Sequence, residues 1–324
     1  MDSATLEAMT RKYLAVEMPE HTFAWQGGEP TLMGLPFFKE AVRTQKKFRS
    51  ARSAVSNAIQ TNGTRLDDAW CAFFRENNFL VGLSIDGPAE VHDRYRVNAT
   101  CQGSHSATLR GAAALAKHGC DFNALTVVSA ANQDRPEEVY RYIKELGIFF
   151  HQYIECVEFG ADGGLAPFAV RPEKWGEFLC RVFDEWFAAG DCGRVSVRLF
   201  DSVVSRLVTG VPTMCPMAGD CRNYFVVECD GSVYPCDFHV SPEHRLGNVR
   251  ADGFAAISAS EKYAEFGRKK RPVSPDCAEC KWLPLCMGDC PKNRPHAKSV
   301  LCAGWKMFYS HTIDRFETLA AHIK

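Results

Sequence analysis

The run CAECKWLPLCMGDC at 277–290 puts four cysteines into fourteen residues, separated by two, five and three residues. Cys215, Cys221, Cys229 and Cys236 lie upstream and Cys302 downstream, so nine of the fifteen cysteines fall between 215 and 302. Eight of the nine group as C-x5-C-x14-C, then C-x2-C-x5-C-x3-C, then C-x11-C. Eight thiolates suit two four-sulfur sites, and spacing alone leaves both zinc and iron–sulfur clusters open. A zinc ribbon usually carries two C-x2-C knuckles, whereas only Cys277 and Cys280 make that pair, which favours iron–sulfur. Cys229 sits in the alternating FVVECDGSVYPC, a hairpin turning at Asp230-Gly231, and reads as structural rather than as a ligand.

The remaining composition narrows the partners. A chain of 324 residues can bury one large core or two ordinary ones. Its formal net charge of −1 argues against nucleic acid and against a membrane surface. No stretch approaches the roughly 18 apolar residues of a membrane span, and MDSATLEAMTRKYL lacks the charged-then-apolar order of a signal peptide. The expected location is therefore cytoplasmic, where thiols stay reduced, and an odd cysteine total fits a complete disulfide set badly.

Positioning the chemistry requires a scaffold, and residues 21–157 supply an alternating pattern. The β-rich runs HTFAWQ (21–26), AVSNAIQT (54–61), FLVGLSID (79–86) and DFNALTVV (121–128) precede helices over about 35–49, 66–77, 105–118 and from Pro136. A fifth run, FFHQYIECV, covers 149–157. This order predicts an α/β fold with a parallel sheet and crossover helices. Ligands then bind at the C-terminal ends of the strands, at QGGEP, QTNGT and SIDGP, with Gln26 and Asn62 as polar groups at strand ends. A helix over about 173–189 carries Trp175, Phe178, Leu179, Val182, Phe183 and Trp186 at helical spacing and packs on this layer. Cys71, Cys101, Cys120, Cys156, Cys180 and Cys192 stand singly and read as small buried hydrophobes.

The series Cys215, Cys221, Cys236, CAECKWLPLCMGDCPKNR and LCAGW resembles the SPASM domain of radical SAM enzymes, and most closely that of anaerobic sulfatase-maturating enzymes. The resemblance extends to TFAWQGGEPTLMGL, SNAIQTNGT, SIDGPAEVHDRYR, WGEFLC and YPCDFHVSPEHRLGN. It implies a partial (β/α)6 radical SAM barrel missing its first strand over 1–210, with linker helices. Residues 211–324 would be a SPASM-type domain with two auxiliary 4Fe-4S clusters and a C-terminal helix. One cluster would be held by Cys215, Cys221, Cys236 and Cys290, the other by Cys277, Cys280, Cys286 and Cys302. S-adenosyl-L-methionine (SAM) would meet the GGEP backbone, Gly27, Gly28, Glu29 and Pro30, through its amino group, with Ser84 on its ribose, Arg96 on its carboxylate, and Gln26 and Asn62 as candidates for the same pocket or for substrate contacts. Asp237 would be the base that takes a proton as a Cys or Ser of a sulfatase, or of another peptide, is oxidised to Cα-formylglycine. An external electron donor is also implied.

Radical SAM enzymes bind their catalytic cluster through CxxxCxxC, and these residues contain no such triad. The expectation is that the chain begins downstream of the first strand, is inactive as written, and binds SAM weakly or not at all. The strand at 21–26 is then an edge with unpaired backbone groups. The alternative reading is a non-catalytic SPASM iron–sulfur protein for peptide binding or electron transfer. Metal analysis of anaerobically prepared protein should give about eight irons with matching sulfide per chain. About two zinc ions and no brown chromophore would contradict both iron–sulfur readings.

Overall fold

Asp2 starts the first helix: its carboxylate accepts the Thr5 amide at 2.8 Å, filling one of the free donors at a helix N-terminus. In the computed structural model, which describes residues 1–271 and 274–323, α1 (Ser3–Leu14) leads into β1 (Glu20–Trp25), α2 (Leu35–Phe48) and β2 (Ala54–Thr61). Asp67 caps α3 (Asp68–Glu76) in the same way and is followed by β3 (Phe79–Ser84), the single turn α4 (Ala89–His92) and α5 (His105–Lys117). Next come β4 (Phe122–Val128), α6 (Pro136–Glu145), β5 (Phe150–Glu155), α7 (Pro172–Ala188), β6 (Ser196–Val197) and α8 (Arg198–Thr209).

The six strands form one sheet in sequence order, every neighbouring pair parallel. Five of them fall where the alternating pattern puts them. The sixth has only two residues, too few for any hydrophobic period to mark it. Among the described residues β1 pairs with β2 alone and lies at one edge of the sheet. Its Phe23 is nevertheless buried, and the Tyr13 hydroxyl reaches the Thr22 carbonyl at 3.4 Å, so α1 shields part of that edge.

Beyond residue 210 a three-stranded antiparallel sheet of β7 (Val226–Val227), β8 (Ser232–Tyr234) and β9 (Gly247–Asn248) precedes short helices. These are α9 (Phe254–Ser258), α10 (Glu261–Arg268), α11 (Pro275–Ala278) and α12 (Leu283–Cys286), and α13 (Cys302–Ile323) ends the described chain. The β7–β8 hairpin turns at 228–231, where the Gly231 amide reaches the Glu228 carbonyl at 2.9 Å. Cys229 sits exposed on that turn. Of the six single cysteines, Cys71, Cys120 and Cys180 are buried, as expected of small hydrophobes. Cys156 and Cys192 are half-buried, and Cys101 is exposed with φ 58 in a tight loop closed by the Val97–Gly103 bridge. That loop has no core to turn towards, so the buried reading fails for Cys101.

Two apolar seams tie the cysteine-rich segment to the parallel layer. Leu6 and Met9 of α1 and Phe23 of β1 share a core with Val233, Val249, Phe254 and Ile257. At the other side Trp175, Phe178, Phe183 and Trp186 of α7 are buried with Phe308, Tyr309 and Phe316 of α13, each worth about 1.5–3 kcal/mol of burial. The two helices cross glycine to glycine. A Cβ on Gly304 would stand 2.3 Å from the Pro172 carbonyl oxygen, and one on Gly176 would stand 2.7 Å from Gly304 Cα. This crossing fixes the start of α13 and with it Cys302. Gly304→Ala should lower the melting temperature, overpacking of about 1–3 kcal/mol outweighing the roughly 1 kcal/mol that alanine gains in a helix. An unchanged or higher melting temperature would show that the crossing can widen without cost.

Candidate active site

The loops after β1, β2 and β3 are neighbours because their strands are, and two acids, half-buried Glu29 and buried Asp86, brace them. Glu29 of QGGEP accepts hydrogen bonds from the Thr31 amide at 3.0 Å, the Thr61 hydroxyl at 2.7 Å and the Asn62 amide at 2.8 Å. Its carboxylate therefore ties the first loop to the second. Gly27 and Gly28 have φ of 93 and 55, and nothing lies within 4 Å of where a Cβ would stand on either. Backbone that only glycine adopts readily is left facing open space, the arrangement a small ligand needs to reach the main chain. Gln26 is exposed on the same loop, and Ser84 is half-buried at the end of β3.

Arg96 is held in place rather than free in solvent. Its Nε and Nη2 donate to the Asp86 carboxylate at 2.6 and 3.0 Å, a bidentate pair with both side chains largely covered. Asp86 also accepts the Val127 amide at 2.9 Å, and Asn132 donates to the carbonyls of Asp86 and Val127 at 3.0 and 2.9 Å. The ends of β3 and β4 are thus locked together. A guanidinium has five N–H donors, so the pair with Asp86 leaves others for an anionic ligand. Asp86 and Asn132 escaped the sequence reading; the signal was only an Asp directly after a strand.

The eight cysteines divide into two groups. Cys277, Cys280, Cys286 and Cys302 line one hollow together with Trp282, Leu283 and Trp305. Burial pushes the Cys286 thiol up to about 11, with Asp289 and the charges of Cys280 and Cys277 adding to it; Cys302 is raised by burial, with Cys277 and Cys280 again contributing. The second group shows the same mutual influence. Burial, then Asp289, Cys215 and Cys236, push Cys290 up to about 12, and Cys221 is raised by burial with a contribution from Cys215. Cys236 is pushed up to about 11, chiefly by burial.

Among the described residues, no three His, Cys, Asp or Glu side chains converge as ligands of one metal ion. The thiols of the first group line a cavity instead. All fifteen cysteines are free thiols. Reduced thiols lining a partly apolar hollow are the donor set an iron–sulfur cluster takes, and the residues fit that group. Between Cys286 and Cys290 the chain runs through three left-handed residues in succession, Met287, Gly288 and Asp289, with φ of 44, 73 and 64. That reversal separates two cysteines only four positions apart. Asp289 is 2 % exposed, and its carboxylate accepts the Cys290 amide and the Ser299 hydroxyl, each at 2.6 Å, and the Asn293 amide group at 3.1 Å. Asn293 also reaches Glu155, at the end of β5, at 3.2 Å. Burial, and then the charge of Asp289, raise the Glu155 carboxyl above its ordinary range.

Asp237 follows Cys236 and is exposed. Its Oδ1 accepts the Tyr224 hydroxyl at 2.6 Å and the Cys236 thiol at 3.3 Å. Burial and the bond to Asp237 raise the Tyr224 phenol, so it stays a donor across the ordinary pH range. Tyr224 is 40 % exposed and lies on the strand side of the hairpin, a partner that spacing did not reveal.

Comparison with known proteins follows the same division. Residues 1–143 match the Radical SAM superfamily, and residues 218–281 match the SPASM iron-sulfur cluster-binding domain. A serine-type anaerobic sulfatase-maturating enzyme of Bacteroides thetaiotaomicron is 38% identical over 96% of this chain and 80% of its own length. A cysteine-type enzyme of Clostridium perfringens is 36% identical over 100% of this chain and 90% of its own. The solved structure of native anSMEcpe with bound AdoMet and a Cp18Cys peptide superposes with a TM-score of 0.94 at 35% identity, covering 100% of this chain and 92% of that one. Likeness of this extent, in sequence and in the path of the chain, places the protein in the anaerobic sulfatase-maturating enzyme family of radical SAM proteins with a SPASM domain.

Proposed function

We propose that this chain is the scaffold of an oxidoreductase that converts a Cys or Ser of a sulfatase to Cα-formylglycine, with Asp237 as the base. The observation that carries the reading is an exposed carboxylate fixed beside Cys236, in a chain similar along nearly its whole length to enzymes of both the serine and the cysteine type. SAM, cleaved at a radical SAM cluster, would supply the 5′-deoxyadenosyl radical chemistry that takes a hydrogen atom from Cβ of the target residue. The chain's own residues do the rest. Gly27 and Gly28 offer bare backbone to the amino group of SAM, Gln26 and Glu29 shape that loop, Ser84 meets the ribose hydroxyls, and Arg96 uses the N–H groups that Asp86 leaves free on the carboxylate.

Asp237 accepts the proton that leaves the target side chain as its carbon–sulfur or carbon–oxygen double bond forms, and Tyr224 holds the carboxylate in orientation. One hydrogen atom, one proton and one electron are removed in total, which completes a two-electron oxidation; serine then stands as the aldehyde, while the thioaldehyde from cysteine takes up water and releases hydrogen sulfide to reach it. The groups Cys215, Cys221, Cys236, Cys290 and Cys277, Cys280, Cys286, Cys302 would hold two auxiliary 4Fe-4S clusters able to take up that electron and hand it on for the next cleavage of SAM, an external donor supplying the first.

The second reading is a SPASM protein that binds a peptide or passes electrons without radical chemistry. Anaerobically reconstituted protein should release no 5′-deoxyadenosine from SAM until a CxxxCxxC segment is supplied ahead of Met1. With it, a peptide spanning a sulfatase target Cys or Ser should be converted. Asp237→Asn should then lower formylglycine formation by about 100-fold or more while SAM cleavage continues. Conversion at the unaltered rate in Asp237→Asn would remove the base assignment. An extended chain that binds the peptide but never cleaves SAM would establish the second reading.

A further inference from the structure

Lys270 is 1 % exposed, an unusual position for a lysine. Its Nζ donates to the Pro216 carbonyl at 2.7 Å and to the Asp289 carbonyl at 2.6 Å. The first carbonyl belongs to the residue after Cys215, and the second is the acyl group of the Cys290 peptide bond. A third cysteine is anchored to the same helix end, for the Cys221 amide and the Lys270 amide both donate to the Gly267 carbonyl, at 3.3 and 3.2 Å. An ammonium has three N–H donors, and two acceptors are found for it among the described residues.

Arg294 stands beside it. One Nη2 donates to the Asp289 carbonyl and, at 3.1 Å, to the Lys270 carbonyl. Its Nε is buried and has no hydrogen-bond partner among the described residues. A buried N–H without an acceptor costs about 1–3 kcal/mol, so its persistence points to an acceptor outside the described residues.

Acids also face this corner, but most are engaged elsewhere. Asp289 is saturated by Cys290, Ser299 and Asn293; Asp220 pairs with Arg222; Asp237 is bound by Tyr224. The Cys277, Cys280, Cys286 and Cys302 group has a different setting. Its lysine neighbours, Lys298, paired with Asp276 at 2.8 Å, and Lys306, are surface residues, where solvent screens them.

We propose that Lys270 and Arg294 form a buried cationic seat for the cluster of the Cys215, Cys221, Cys236 and Cys290 group. Their spare N–H donors bond its sulfur atoms and raise its reduction potential above that of the other cluster. The proposal rests on the reading that these four thiols hold a cluster. Reduction adds a negative charge, and N–H donors and fixed cations in a low-dielectric corner favour the more negative state. The electron leaving the substrate would then be accepted preferentially at the cluster beside Asp237.

The test is a potentiometric titration followed by electron paramagnetic resonance on this chain, reconstituted anaerobically. Iron analysis comes first, and a chain unable to hold about eight irons refutes the cluster reading itself, separately from this proposal. With both clusters present, Lys270→Gln and Arg294→Gln should each shift one midpoint downward by about tenfold in the reduction equilibrium, about 59 mV for one electron, and leave the other in place. Arg294→Lys, which keeps the charge, should recover part of the shift. Unmoved midpoints, or both moved equally, would overturn the proposal. Should the variants fail to load iron, pulsed measurements on the unaltered protein with 15N in its lysine and arginine side chains decide it. A 15N coupling on one reduced cluster is expected, and no coupling on either would overturn it.

Discussion

Three residues in left-handed backbone, Met287, Gly288 and Asp289, separate Cys286 from Cys290, and most of the cysteine-rich segment depends on that reversal. Glycine adopts such φ freely, but a methionine and an aspartate held there cost on the order of 1 kcal/mol or more each. What offsets the cost is the bonding of Asp289. Its carboxylate gathers the Cys290 amide, Ser299 and Asn293, while its carbonyl gathers Lys270 and Arg294. Asn293 carries the linkage on to Glu155 at the end of a barrel strand. One buried aspartate therefore couples the parallel sheet to both cysteine groups. Without the reversal, Cys286 and Cys290 would face one hollow together.

The ligand end of the sheet is fixed by the same means, acids placed just after strands. Glu29 spans from the first loop to the second, and Asp86 from the third strand to the fourth while orienting Arg96. These bonds satisfy backbone donors that the sheet leaves free at its ends. They also brace the loop that carries Gly27 and Gly28.

Much of this architecture is legible in the sequence because it is periodic. Five strands and the helices between them follow from alternation and helical spacing, and the aromatic face of α7 is buried as its spacing implies. The eightfold cysteine pattern is equally plain. Long-range pairing is what escapes. Arg96 reads as a solvated charge until the fold brings Asp86 to it, ten positions away, and Tyr224 reaches Asp237 only through the hairpin. Lys270 lies in RKKRP, a run that looks like an exposed basic surface, and only the packing of α10 against the Cys215 and Cys290 segments reveals its burial. Cys101 shows the opposite error, since its type suggests a core residue and its loop keeps it outside.

The central claim is that neighbouring cysteines of one short run serve different clusters. Single alanine replacements at Cys236, Cys286 and Cys290, each reconstituted and examined by electron paramagnetic resonance with iron counting, test it most directly. The account predicts that Cys236→Ala and Cys290→Ala disturb the same cluster signal and leave the other intact, while Cys286→Ala disturbs the other. Matching spectra for Cys286→Ala and Cys290→Ala, with Cys236→Ala different, would contradict it.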